Sequence, residues 1–224
     1  PKALPELPAF ELAAWNRVAN MVGGDVYDFV PLPDGRLAVL FGDASGHGMA
    51  AGLVMAVAHA GFRTQLETDP SPEAMIPVLN RLLCRTGGRR SFFSCVYLLA
   101  SPDGSLRITV SGHPQVLKVN ERGHVLERIG AGSYPLGVRA EMSWPADASV
   151  LAPGELLLLY SDGLTEARNA AEQEFGEERL EGTLRLFAGT SAPTLVSELA
   201  ATVTRFCGRI APEDDVSIAV LRRR

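Results

Sequence analysis

The chain is short of the features that mark secreted, membrane-spanning or nucleic-acid-binding proteins. Only three cysteines, Cys84, Cys95 and Cys207, occur in 224 residues, far apart and without a Cys-x-x-Cys spacing. That argues against a disulfide frame or a cysteine zinc site, and predicts reduced thiols in a cytoplasmic compartment. No apolar run approaches the ~20 residues of a membrane-spanning helix, and no signal peptide opens the chain. Basic residues make no patch or stripe; the formal charge is −5, and the longest basic run is the terminal Arg222-Arg223-Arg224. A nucleic-acid surface is not expected from such a pattern, and the three arginines read as a solvated tail. Internal repeats and low-complexity segments are absent. What remains, 46% hydrophobic and 21% charged, is the composition of an ordinary globular protein.

Residues 1–8, punctuated by Pro1, Pro5 and Pro8, read as an extended linker, and 9–224 as one compact domain. Apolar runs at Phe10–Ala19, Val26–Leu32 and Leu37–Phe41, split by turn signals such as Pro33-Asp34-Gly35, predict a β-meander. Met49–Leu66, rich in Ala, Met and Leu, predicts a helix. So does Pro72–Thr86, with Ser71 as N-cap and Pro72 in the first turn; Pro77 predicts a kink or a later start. Four strands follow at Phe92–Leu99, Leu106–Ser111, Val116–Asn120 and Val125–Ile129. Glu155–Tyr160 predicts a fully buried strand. Helices at Gly176–Ala188 and Ala192–Phe206, the second capped by Ser191, precede a closing strand at Val216–Leu221. Strands in consecutive groups point to an α+β fold with antiparallel sheets.

Aspartates fall at the ends of these strands. Asp43 follows Leu37–Gly42, Asp162 follows Leu156–Ser161, Asp214 and Asp215 precede the last strand, and Asp25 and Asp28 bracket another after Gly23-Gly24. Each alone is equally a strand-end or Asx-turn former. Taken jointly, carboxylates brought together would repel and resist desolvation, and divalent cations relieve both. An all-oxygen set without His or Cys suits magnesium or manganese rather than zinc. Two such ions about 3.5–4 Å apart would clamp a phosphate and acidify a water.

Four segments carry a family resemblance, in the order Val22-Gly23-Gly24-Asp25-Val26-Tyr27-Asp28-Phe29, Gly42-Asp43-Ala44-Ser45-Gly46-His47-Gly48, Tyr160-Ser161-Asp162-Gly163-Leu164-Thr165-Glu166-Ala167, and Asp214-Asp215-Val216-Ser217. They resemble the motifs of PPM-type (protein phosphatase 2C-like) serine/threonine phosphatases, and more narrowly the bacterial SpoIIE/RsbU-like branch. Ser111-Gly112-His113-Pro114 and Pro135-Leu136-Gly137 are similar to lesser motifs of that branch.

The resemblance implies an αββα sandwich, two antiparallel sheets flanked by helices, with two divalent cations, Mn2+ or Mg2+, at one end. It implies that Asp43 bridges both metals, that the Ala44 carbonyl is a further ligand, that Asp162 and Asp214 hold the first metal, and that Asp25 supports the second. Asp214 rather than Asp215 is the expected ligand. The implied substrate is a phosphorylated STAS-type anti-sigma factor antagonist in bacterial partner-switching signalling. The start at Pro1 fits an output domain preceded by a sensor or receiver. Ser45 stands where eukaryotic relatives place a histidine; His47, two residues on, is expected to shape the turn or meet phosphate near the following helix N-terminus, not to act as the acid.

Other readings compete. Gly23-Gly24-Asp25 continues with Val26-Tyr27, not the Glu-Phe of a diguanylate cyclase, and Gly42–Gly48 lacks the Gly-Lys-Ser/Thr of a P-loop. His59, His113 and His124 have no ligand-like spacing, and Tyr27 and Phe29 read as sheet packing. Two further functions stay open: a catalytically silent domain that only binds a partner, and a phosphoester hydrolase acting on small molecules.

Overall fold

The computed structural model describes residues 1, 3–19, 21–46, 48–86, 91–130 and 132–224. They form two compact units, one of Pro1–Ala3, Asn20–Gln115 and Ile129–Val150, the other of Leu4–Ala19, Val116–Arg128 and Leu151–Arg224. Each is built around one five-stranded sheet with its own helices.

In the first unit the sheet order is β2 (Asp25–Pro31), β3 (Leu37–Ala44), β4 (Phe93–Ala100), β5 (Ser105–Ser111) and β8 (Asp147–Val150), every pair antiparallel. Alternation along a strand divides its side chains between two faces. Ala38, Leu40 and Ala44 of β3 join Cys95, Tyr97 and Leu99 of β4 in a core with the two helices of the unit. Those helices are α1 (Met49–Leu66) and α2 (Pro72–Thr86), with the bounds that the sequence predicts. The Ser71 hydroxyl accepts the Ala74 N–H at 3.3 Å, which fixes the start of α2 at Pro72. The helix then runs on through Pro77. Leu37, Val39 and Phe41, on the other face of β3, are buried as well, as expected for an apolar run without alternation.

In the second unit the order is β1 (Phe10–Arg17), β10 (Val216–Arg223), β9 (Leu156–Tyr160), β6 (Val116–Val119) and β7 (Val125–Ile129). Tyr160, Leu158 and Leu156 share a core with α4 (Gly176–Phe187) and α5 (Ala192–Cys207) through Leu180, Leu184, Leu195 and Leu199. Ser191 caps α5 by accepting the Thr194 N–H. The four leucines of β9 are at most 1% exposed. At about 1.5–3 kcal/mol per buried leucine, they fix the strand far more firmly than repulsion between charges at its end could dislodge it.

One expectation is corrected here. The first three strands are not a meander: β1 pairs with β10, Phe10 opposite Arg223 through Arg17 opposite Val216, and only β2 and β3 form the hairpin. Two short elements escaped the sequence reading, the strand β8 and the single turn α3 (Asp162–Thr165).

Candidate active site

The acidic residues singled out in the sequence fall into two groups, one per unit. In the first, Asp25 and Asp43 are direct partners across β2 and β3, so their side chains leave the sheet on the same face. Ala44 and Leu40 belong to the helix-covered core; Asp43, one residue out of phase, therefore stands on the face opposite α1 and α2. Tyr27 stacks on Phe41 with ring centroids 6.4 Å apart, which extends that face along both strands.

Asp28 is out of phase with Asp25 and lies on the helix side. It is 1% exposed. Arg63 of α1 donates to it twice, at 2.6 and 2.8 Å, and His59 Nε2 lies 2.7 Å away. Burial pushes its carboxyl upward, but the hydrogen bonds and charges of Arg63 and His59 outweigh that and hold it below its ordinary value. Asp28 thus ties α1 to β2 and takes no part in the Asp25–Asp43 pair.

Gly24 completes this half. A Cβ built on it would stand 2.7 Å from the Ala44 carbonyl oxygen and 2.7 Å from Asp43 Oδ1. Two oxygen donors therefore converge on a space that only glycine leaves open, while the Gly24 carbonyl accepts the Ala44 N–H at 3.2 Å. Downstream, the Ser45 hydroxyl accepts the Phe92 N–H at 2.9 Å and Ser45 N–H donates to Phe92 O, pinning the exit of β3. Gly46 and Gly48 turn the chain with φ of +87° and +70°, a region that side-chain-bearing residues avoid. His47, between them, lies outside the described residues.

In the second unit the register of β9 against β10 brings the Ser161-Asp162-Gly163 and Asp214-Asp215 segments side by side. Ser161 accepts the Ser217 N–H at 2.9 Å and donates to the Asp215 carbonyl at 3.2 Å. A Cβ on Gly163 would stand 2.1 Å from the Asp215 carbonyl and 3.5 Å from Asp214 Cβ, so glycine is required for the two segments to touch. Asp162 Oδ1 accepts the Gly163 N–H, and Asp214 Oδ1 the Asp215 N–H. The two members of the acidic doublet differ: Asp215 is 5% exposed and accepts the Ala19 N–H at 2.7 Å, whereas Asp214 is exposed.

Partial desolvation raises the proton affinity of the Asp214 carboxyl, and the negative charges of Asp162 and Asp215 raise it further against the Asp215 N–H. Glu166 is raised by desolvation and then by Asp162, Glu174 and Asp214, with Arg168 opposing. Sequence reasoning gave Glu166 no role, although it sits in the same motif as Asp162. These carboxylates share one neighbourhood and repel, a strain that a cation would relieve.

Among the described residues, no three His, Cys, Asp or Glu side chains are grouped so as to form a ready-made metal cage. The donors within each unit are carboxylate and carbonyl oxygens, with neither histidine nor cysteine among them. That chemistry fits a hard divalent cation.

Comparison with known proteins adds the decisive finding. The family described as Stage II sporulation protein E (SpoIIE) matches residues 33–224. The chain belongs to the SpoIIE family. The match takes in Asp43, Asp162 and Asp214 and begins after Asp25. Protein IcfG of a Synechocystis species is 26% identical, over 99% of this chain and 39% of IcfG. RsbU of Bacillus subtilis, a protein named as a phosphoserine phosphatase, is 23% identical over 99% of this chain and 65% of RsbU. The SpoIIE-family chain thus spans less than two thirds of the length of either relative. Among solved structures, the SiaA-PP2C domain of Pseudomonas aeruginosa matches with a TM-score of 0.84 at 19% identity, covering 94% of this chain and 85% of that one. Two antiparallel sheets with flanking helices are the PP2C phosphatase fold. No helix among the described residues is long and apolar enough to cross a membrane.

Proposed function

We propose that this SpoIIE-family chain is a divalent-cation-dependent protein phosphatase that hydrolyses phosphoserine or phosphothreonine on another protein. Family membership and the phosphoserine phosphatase name of RsbU support the reaction. The observation that carries the chemistry is the space beside Gly24, where Asp43 Oδ1 and the Ala44 carbonyl meet.

In this reading Asp43, the Ala44 carbonyl, Asp162 and Asp214 are ligands, with Asp25 as a supporting ligand beside Asp43. Mn2+ or Mg2+ would supply charge neutralisation for the phosphate oxygens and a lowered pKa for water. The protein's own part is positioning. Gly24 and Gly163 permit the close approaches, Ser161 and Asp215 lock the β9–β10 end, and Asp28 fixes α1 on β2. No cysteine nucleophile is required, and burial pushes the Cys95 thiol up to about 12, too high for thiolate chemistry. The proposed substrate is a phosphorylated STAS-type anti-sigma factor antagonist in the cytoplasm, with residues 9–224 as the catalytic domain and a sensor or receiver in the same polypeptide.

The test is phosphate release from such a phosphoprotein with added Mn2+. Turnover is expected, and a chelator should abolish it. Asp43→Asn should lower kcat at least about a hundredfold, since even outer-sphere partners of metal ligands cost 10–100-fold, with an unchanged circular dichroism spectrum. A near-wild-type rate for this variant would rule out the ligand assignment. The same assay decides against the alternative of a domain that binds phosphoprotein without turnover, because that domain would retain the phosphoprotein and release no phosphate.

A further inference from the structure

The sheet of the second unit ends on β1, whose outer side pairs with no strand among the described residues. One step beyond the Phe10–Arg223 pair, the Arg224 N–H donates to the Ala9 carbonyl. Hydrogen-bonded positions recur at every second residue of an antiparallel ladder. Glu11, Ala13, Trp15 and Arg17 therefore turn their main-chain groups to β10, and Leu12, Ala14 and Asn16 turn theirs outward. The far side of β10 agrees with this phase. There the Ser217 carbonyl accepts the Ser161 N–H and the Arg223 N–H donates to the Glu155 carbonyl, which leaves Val216, Ile218, Val220 and Arg222 for β1.

An open edge invites another strand unless it is short, bulged or blocked by proline or lysine. Among the edges of the two sheets, β7 has five residues, β8 has four, and β2 ends on Pro31. β1 has eight residues in unbroken register, with neither proline nor lysine. It lacks every one of those safeguards.

We propose that β1 pairs antiparallel with β1 of a second copy of this chain, about a two-fold axis at Ala14. Charge selects both the partner and the register. Glu11 and Arg17 flank Ala14 at equal spacing, so this axis sets each opposite the other, twice over. No other two-fold register of the strand does so. Both groups have capacity to spare. Glu11 Oε2 accepts the Ala192 N–H at 3.0 Å and lies 3.8 Å from Arg222. Among the described residues, neither Glu11 Oε1 nor the Arg17 guanidinium has a hydrogen bond or ion pair. The two meet at a non-hydrogen-bonded pair, where facing side chains stand closest. Ala13 falls opposite Trp15, small against large, and Ala14 meets itself. Leu12 opposite Asn16 and Ala14 opposite Ala14 add about six main-chain hydrogen bonds, two per narrow pair.

The same axis closes the groove beside the edge, which measures about 370 Å3 and is lined by Leu4, Leu12, Pro193, Val196 and Ala200. Leu4 has no main-chain hydrogen bond to β1 and leaves the edge open. α5 runs parallel to β1, since its first residue bonds Glu11 while Val203 and Cys207 share a cleft with Trp15 and Arg17. The α5 helix of the second copy thus lies antiparallel beside it, with the small, exposed Pro193 and Ser197 toward the groove.

Sedimentation of residues 1–224 should show a monomer–dimer equilibrium that weakens as salt screens the exposed ion pairs. Under oxidising conditions Ala14→Cys should give a disulfide-linked dimer, because Cα atoms of a hydrogen-bonded pair lie about 5.5 Å apart, within disulfide reach. Leu12→Cys should not, because the two copies of that residue would stand about 14 Å apart at about 3.4 Å per residue. The wild type, with Cys84, Cys95 and Cys207, is the baseline for both. Arg17→Glu sets like charges opposite each other and should raise the dimer Kd at least about tenfold; Arg17→Ala should fall between it and the wild type. A wild-type chain that stays monomeric at every soluble concentration would overturn the proposal. So would a dimer that cross-links through Leu12→Cys and not Ala14→Cys, or one whose Kd ignores both Arg17 variants. None of these readouts involves turnover, so the result stands apart from the phosphatase reading.

Discussion

Gly24 and Gly163 do for this chain what no side chain could: each lets a carboxylate-bearing strand end come within contact of a neighbouring segment. A methyl at Gly24 would sit at 2.7 Å from two oxygens, closer than carbon and oxygen tolerate, and neither oxygen lies on a long flexible arm. Gly24→Ala should therefore cost about 1–3 kcal/mol of stability, measured by urea unfolding. Turnover should fall further than that loss explains, because Asp43 and the Ala44 carbonyl must separate; wild-type turnover in a destabilised Gly24→Ala would show the shared space to be dispensable. The period-two pleat already distinguishes the two aspartates of the first motif, since Asp25 and Asp28 are three residues apart and must face opposite ways. The sequence could not reveal what Gly24 and Gly163 touch, because both close approaches depend on strand register.

At the level of elements, the tie between β2 and α1 has a pH signature. The Asp28 carboxyl is held below its ordinary value of 3.8, as burial is outweighed by Arg63 and His59. The folded state thus binds fewer protons than the unfolded chain around that pH. The resulting stability is fully present above the unfolded pKa and is lost as pH falls through the lower folded value. Asp28→Asn should cost about 1–3 kcal/mol at pH 7, the range for weakening a charged hydrogen bond to a buried group. The gap to wild type should narrow once unfolding is followed from about pH 5 to below 3.8; a gap of constant size would show that the carboxylate charge is not what binds the helix. Elements such as α1, α2 and β7 are legible to the residue because composition marks α1, the Ser71 cap marks α2 and turn residues bound β7. The strand β8, only four residues with three of them exposed, and the one-turn α3 carry too little pattern to be read.

For the whole molecule, long-range pairing is what the sequence conceals. Consecutive strands usually pair, so the sequence predicts a meander for β1, yet its partner β10 lies some two hundred residues on, and no local pattern encodes that choice. The ordered aspartate motifs were legible because each follows or precedes a buried apolar strand, and the SpoIIE match over residues 33–224 agrees with the family they suggest. Their proposed role as cation ligands has a consequence independent of turnover. A cation that binds the folded chain and not the unfolded one stabilises it by mass action, about 2.7 kcal/mol at a hundred times its Kd. For a chain of this length that corresponds to an increase in Tm of about 5–10 °C. Mn2+ should produce this increase in the wild type, while Asp43→Asn and Asp214→Asn should each lose most of it, although one lies in the first unit and the other in the second. Potassium at equal ionic strength should produce none. An increase of the same size in the wild type and both variants would mean that Mn2+ acts at other carboxylates; loss in only one of the two would remove the other from the ligand set.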